Sequence, residues 1–142
     1  MSEYVKNWKA EHVAIMDFLS SAVTLDISSK AGQAKMLEAK NLILKHLKSE
    51  DEVLYPMVKK VAREKVSMER MMEIFAKEMD ELAPKVLEFF REYEANPMTK
   101  GLSSELYKLI GLLKVRIYAE ENMFIKQYEA IMAKADNEDK KV

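Results

Sequence analysis

Cysteine is absent from this chain, which excludes disulfides, thiolate metal sites and cysteine nucleophiles. Glycine and proline number only 3 each, and strand-type runs of Val, Ile and Thr are missing, so an all-helical chain is expected. No charge of either sign dominates: 23 Lys and Arg stand against 24 Asp and Glu, a formal net charge of -1. That balance gives no long-range pull on nucleic acid or anionic lipid. No apolar run approaches the roughly 20 residues that span a bilayer. The opening segment Met1 to Trp8 has no apolar stretch of the signal-peptide kind. The expectation is a soluble, cytoplasmic domain without nucleic-acid or membrane partners.

What is present suits one domain over residues 1–142, with 49% hydrophobic residues for a core and 33% charged residues for its surface. Trp8, His12, Met16, Leu19 and Val23 recur at helical steps, predicting a first helix capped by Asn7 and ending near Leu25. Asp26 to Lys30 reads as a connection. A second helix is expected from about Ala31 to Lys60, facing inward with Ala39, Leu42, Ile43, His46, Glu50, Val53, Leu54 and Met57, and with a kink at Pro56 or a terminal turn soon after it. A third, capped by Ser67, carries Met68, Met72, Phe75, Met79, Leu82, Val86 and Phe90 to about Tyr93, bent at Pro84. Asn96-Pro97 and Gly101 make the next turn. A fourth starts near Ser103 or Ser104, presents Leu106, Leu109, Ile110, Leu113, Arg116, Ile117, Glu120 and Phe124, and runs to about Ala133, leaving a charged tail that frays over about 136–142. Connections this short favour an up-down-up-down antiparallel four-helix bundle.

The second and fourth helices also match each other. His46-Leu-Lys-Ser-Glu50-Asp51 aligns with Arg116-Ile-Tyr-Ala-Glu120-Glu121, at a separation of about 70 residues. The first and third align more loosely, Glu11-His12 with Glu78-Met79. Two helical hairpins of one design would bring His12, His46, Glu50, Met79, Arg116 and Glu120 to one level of the core. His46 and Glu50 are one turn apart and can serve one ion from one helix.

Both histidines of the chain fall on inward stripes. Buried carboxylates without a compensating cation would cost several kcal/mol each, so a metal, Arg116 or both belong beside Glu50 and Glu120. Two imidazoles and two carboxylates suit iron, zinc or manganese. Arg116 cannot ligate a cation, but its guanidinium can hold carboxylates where a second metal would otherwise sit. Two other readings are open. In one, a metal-free structural bundle has Arg116 neutralising Glu50 and Glu120; in the other, a haem is held by a histidine and Met79. No catalytic residue is singled out, so binding is expected rather than catalysis.

Glu11-His12, His46-xxx-Glu50-Asp-Glu-Val-Leu-Tyr55-Pro56 and Glu120-Glu121-Asn-Met-Phe124 make the chain resemble the hemerythrin-like family of HHE cation-binding domains. The resemblance implies a four-helix bundle around non-haem iron, with His12 and His46 as terminal ligands and Glu50 and Glu120 as bridging carboxylates. It also implies roles in O₂ or NO binding, sensing or iron handling. Where the family's third helix offers a histidine this chain has Met79, and where the fourth offers His-xxx-Asp/Glu it has Arg116-xxx-Glu120. The altered pattern implies one ion in place of two.

Overall fold

The computed structural model describes residues 3–62 and 66–140, with the side chains at 58, 61, 62, 66–69, 71, 72, 75, 76, 78–80, 131 and 134–140 outside the described set. Six α-helices assemble into four long rods: α1 (Glu3–Thr24); α2 (Lys30–Ser49) running into α3 (Tyr55–Ala62); α4 (Val66–Ala95); and α5 (Leu102–Ala119) running into α6 (Ile125–Lys140). The joints inside the second and fourth rods are single π-helical turns, Glu50–Leu54 and Glu120–Phe124. There is no strand among the described residues. The rods form an all-α antiparallel bundle in which α1 packs on α2 and α5, while α4 packs on α3 and α5. No helix is long and apolar enough to cross a membrane among the described residues.

The inward stripes fall where the helical period puts them. Ile15, Leu19, Ala22, Met36, Ala39, Ile43, Phe89, Phe90, Leu106 and Leu113 share one buried cluster. Val5, Trp8, Leu54, Phe124, Ile125 and Tyr128 form a second. Fully burying a side chain of this size stabilises by about 1.5–3 kcal/mol, so both clusters hold the rods in register. Between them on three of the rods lies a polar residue: His12 follows Trp8 and precedes Ile15, His46 follows Ile43, and Arg116 follows Leu113. The bundle is therefore two apolar ends with a polar layer between.

Several helix boundaries differ from the sequence expectation. Asn7 lies inside α1, which is already helical at Glu3, because buried Val5 extends the stripe and Tyr4 stacks on the Trp8 ring. The second rod runs through Pro56 and ends close to its expected limit near Lys60, but not as one regular α-helix. Its π-helical turn precedes the proline, with Tyr55 N–H bonded to the Glu50 carbonyl, and α3 then continues to Ala62. Widening the turn there relaxes the crowding that a proline ring imposes on the preceding turn. Ser67 lies within α4, and α6 carries the charged tail on to Lys140 as regular helix. Pro84 lies inside α4 as expected. The expected stripe residues Met68, Met72, Phe75 and Met79 have side chains outside the described residues.

The turn joining α1 to α2 is built by short polar contacts. Asp26 adopts a left-handed φ of 70°, which Asp tolerates better than most residues, and its carboxylate accepts from Ser28 N–H and hydroxyl at 2.9 and 2.8 Å. Ser29 caps α2 by accepting from Gly32 N–H at 3.0 Å. A Cβ at Gly32 would lie 1.9 Å from the Asp26 carbonyl oxygen and 3.0 Å from the Ile27 Cα. Only glycine lets the loop sit that close to the helix. Gly32→Ala is expected to cost about 1–3 kcal/mol through backbone overpacking, whereas Gly111→Ala, which meets nothing within 4 Å, should stabilise by up to about 1 kcal/mol. Urea midpoints of the two variants check both signs.

Candidate metal centre

The polar layer contains His12 on α1, His46 and Glu50 on the second rod, and Arg116 and Glu120 on the fourth, none more than 6% exposed. The two rods build their halves identically. Glu50 N–H bonds to the carbonyls of His46 and Leu47, and Glu120 N–H to those of Arg116 and Ile117. Five residues on, Tyr55 and Ile125 bond back to the Glu50 and Glu120 carbonyls. Each site carboxylate thus opens a π-helical turn, a device often found at functional positions in helices. Residue types alone gave little warning of these turns: Pro56 lies just after one, but Lys126 stands at the matching place in the other.

One ligand-type atom from each of His12, His46, Glu50 and Glu120 lies within 4.8 Å of the other three. Atoms bonded to one ion at about 2.0–2.2 Å stand at most about 4.4 Å apart, so shifts of a few tenths of an ångström would close the set. The imidazole rings meet edge to face with centroids 4.5 Å apart. His12 Nε2 lies 3.1 Å from Glu120 Oε1, and His46 Nε2 lies 3.1 Å from Glu50 Oε1 and 3.8 Å from Glu120 Oε1. The close approach of His46 to Glu50 is not a hydrogen bond. Among the described residues, His46 Nε2 and both Glu50 oxygens have no hydrogen-bond partner, and they converge on the same space. A buried carboxylate left without a donor is expensive, and this one asks for a cation.

Glu120 faces two ways. Its Oε1 is turned to the imidazoles, and its Oε2 accepts from Arg116 Nε at 3.1 Å and from the Tyr55 hydroxyl at 3.3 Å. Arg116 Nη2 also donates to the Tyr55 hydroxyl at 3.0 Å. The guanidinium therefore turns inward, on the side of Glu120 away from the histidines. Tyr118 is 71% exposed and takes no part. Met79 belongs to α4, but its side chain lies outside the described residues.

Two carboxylates join the cluster that sequence reasoning had matched but given no role. Glu11 Oε1 lies 3.2 Å from His46 Nδ1, and Glu121 Oε1 lies 3.1 Å from His12 Nδ1. The signal for them was their place beside His12 and Glu120 in the sequence; what they contact could not be read there. Four carboxylates now surround two histidines, with Arg116 the one buried fixed cation among the described residues. The excess is negative, and it favours a bound cation.

Without one, protons take its place. Burial pulls the His46 pKa down, but Glu120 and Glu50 outweigh it and raise it to about 10. Burial pushes Glu50 up, Glu120 adds to the rise and His46 opposes it, leaving Glu50 at about 9. Burial would raise Glu120 as well, but Glu50, His12 and His46 hold its carboxyl well below the usual range. Burial also raises the Tyr55 phenol, which stays neutral. The site's imidazoles and buried carboxylates line one side of a mostly apolar cavity of about 40 Å³, which Ile15, Ile43, Leu47, Leu82, Val86 and Leu113 close.

A helical bundle with a buried cluster of imidazoles and carboxylates belongs to the bundle proteins that build metal sites between facing helices. The model of the hemerythrin HHE cation-binding domain matches residues 4–128, and the chain belongs to that family. No curated protein and no solved structure matches it. Hemerythrin domains bind metal ions, and the cluster of this chain could hold one.

The pKa directions fix how the metal-free protein responds to pH. His46 and Glu50 hold protons more tightly folded than unfolded, so their contribution is complete below the ordinary values of 6.5 and 4.5 and disappears as pH rises toward about 10 and about 9. Glu120 has the opposite sign and loses its contribution only in acid, below its ordinary 4.5. Chelator-treated protein should therefore melt highest near pH 4.5 and progressively lower from there up to pH 9. A melting temperature that climbs over that range would contradict this assignment.

Proposed function

We propose that the chain holds a single non-haem metal ion, iron, through His12, His46, Glu50 and Glu120, and serves in small-ligand binding, sensing or iron handling. The observation that carries this reading is the convergence of His46 Nε2 and both Glu50 oxygens, buried and unpartnered, on the space flanked by His12 and Glu120. Two imidazoles and two carboxylates with room for a further ligand fit ferrous iron, and zinc or manganese less selectively. A bound ion of this type supplies Lewis acidity and an open coordination position.

The chain's own residues do the rest. Glu120 presents one oxygen to the ion's place and gives the other to Arg116 and Tyr55. The guanidinium stands where the family pattern would put a second cation and supplies its positive charge, but offers no ligand. Hemerythrin chemistry that shares electrons between two irons is therefore not proposed. The apolar cavity of about 40 Å³ is large enough for a diatomic molecule and small enough to exclude most others, since a single water occupies about 10–15 Å³ on the same scale. A space of that size does not suit haem. The metal-free structural reading is weaker for a different reason: Arg116 reaches Glu120 and Tyr55, while both Glu50 oxygens lack a donor.

Elemental analysis of protein produced with iron supplementation should give close to one ion per chain. A ratio near two would remove Arg116 from its proposed role, and no binding of iron, zinc or manganese would leave the structural bundle as the answer. Arg116→Met should cost the metal-free protein about 3–5 kcal/mol by stranding Glu120. Added metal should recover part of that loss, read as a rise in melting temperature.

A further inference from the structure

Each histidine of the cluster is held at its outer nitrogen by a carboxylate from another rod. His46 on α2 meets Glu11 of α1 at 3.2 Å, and His12 on α1 meets Glu121 of the fourth rod at 3.1 Å, both through Nδ1. Residues adjacent in sequence thus serve different rings. Glu11 steadies His46, while its neighbour His12 is steadied by Glu121. The consecutive Glu120 and Glu121 take opposite nitrogens of the one His12 ring, an arrangement aided by the π-helical turn they open, where the chain rotates less per residue.

We infer that Glu11 and Glu121 are positioning residues that fix the tautomer and aim of His46 and His12 for metal binding. This rests on the metal reading above. An ionised carboxylate only accepts, so it selects the tautomer with hydrogen on Nδ1. Nε2 is then left with its lone pair directed at the shared space. Partners of this kind hold a metal-binding imidazole in orientation and raise its basicity as a donor. The two braces also tie site assembly to α1, which supplies one histidine, itself braced from the fourth rod, and the brace for the other. Glu11 is the more shielded of the pair, its side chain 13% exposed against 32% for Glu121; its one further charged contact is Lys45 Nζ at 4.0 Å. Removing Glu11 should therefore have the larger effect.

Cobalt(II) affinity of the full chain, measured by competition with a chelator, tests the proposal. Glu11→Ala and Glu121→Ala should each weaken binding by about 10–100-fold. The Gln variants, which keep an acceptor and lose the charge, should lie between them and the parent. Glu129→Ala, which removes the exposed partner of Lys9, should bind as the parent does. Proton NMR of the cobalt-loaded protein should show two shifted, slowly exchanging imidazole N–H signals. Glu11→Ala should speed exchange of the His46 signal alone, and Glu121→Ala that of His12 alone. If the parent fails to bind cobalt, zinc or iron, the metal reading falls and this inference with it. If the parent binds and the variants match it in affinity and exchange, only the positioning role is overturned. Weaker binding with both signals unchanged and a lower melting temperature would also overturn it, as a structural effect. If either Ala variant does not fold, its Gln counterpart carries the same readouts.

Discussion

A carboxylate shut away from water has to be given a proton, a donor or a cation, and Glu50 is fully buried with no donor at either oxygen among the described residues. The rest of the polar layer answers to that constraint. His46 Nε2 stands 3.1 Å from Glu50 and 3.8 Å from Glu120, yet gives Glu50 no hydrogen bond. In the metal-free protein the deficit is met by holding protons at His46 and Glu50. With an ion in place the same atoms become its ligands. The cluster is stable in either state because protons and metal compete for one set of lone pairs.

The fold supplies the tolerance for such a layer. Apolar clusters above and below it keep the rods aligned without help from the site. The π-helical turns at Glu50 and Glu120 interrupt two rods at the same height, so the departure from regular helix is confined to the positions where side chains must be aimed. Arg116 completes the design on the other flank. By engaging Glu120 Oε2 together with Tyr55, it leaves Oε1 for the histidine side. The candidate metal position thus lies on one side of Glu120 and the guanidinium on the other.

Much of this was legible before any coordinates. The periodicity of Leu, Ile, Phe and Met at three- and four-residue steps placed four rods, and the match of His46-xxx-Glu50 to Arg116-xxx-Glu120 placed equivalent polar residues at one level. The inward turn of Arg116 was legible from the same alignment. Helix ends were less so. Asn7 and Ser67 have the right side chains for caps, but tertiary packing extends α1 past one, and α4 already includes the other. The π-helical turns were not legible, since Lys126 gives no hint of the second and Pro56 suggested a kink or a nearby end and not a widened turn before it. Nor were the roles of Glu11 and Glu121, which depend on contacts 35 and 109 residues away along the chain.

The division has a physical basis. Which residues point inward follows from the helical repeat and the hydrophobic effect, both local properties of the chain, so sequence by itself determined the all-α class, the repeat, and the candidate set His12, His46, Glu50, Arg116 and Glu120. Hydrogen-bond partners, tautomers and proton affinities depend on distances of about 3 Å between different rods, and the rotation and rise of one rod against another set those distances. Only the tertiary structure decided that Glu11 braces His46, that Glu121 braces His12, that Arg116 takes Glu120 and not Glu50, and that Glu50 is left facing the space between the histidines.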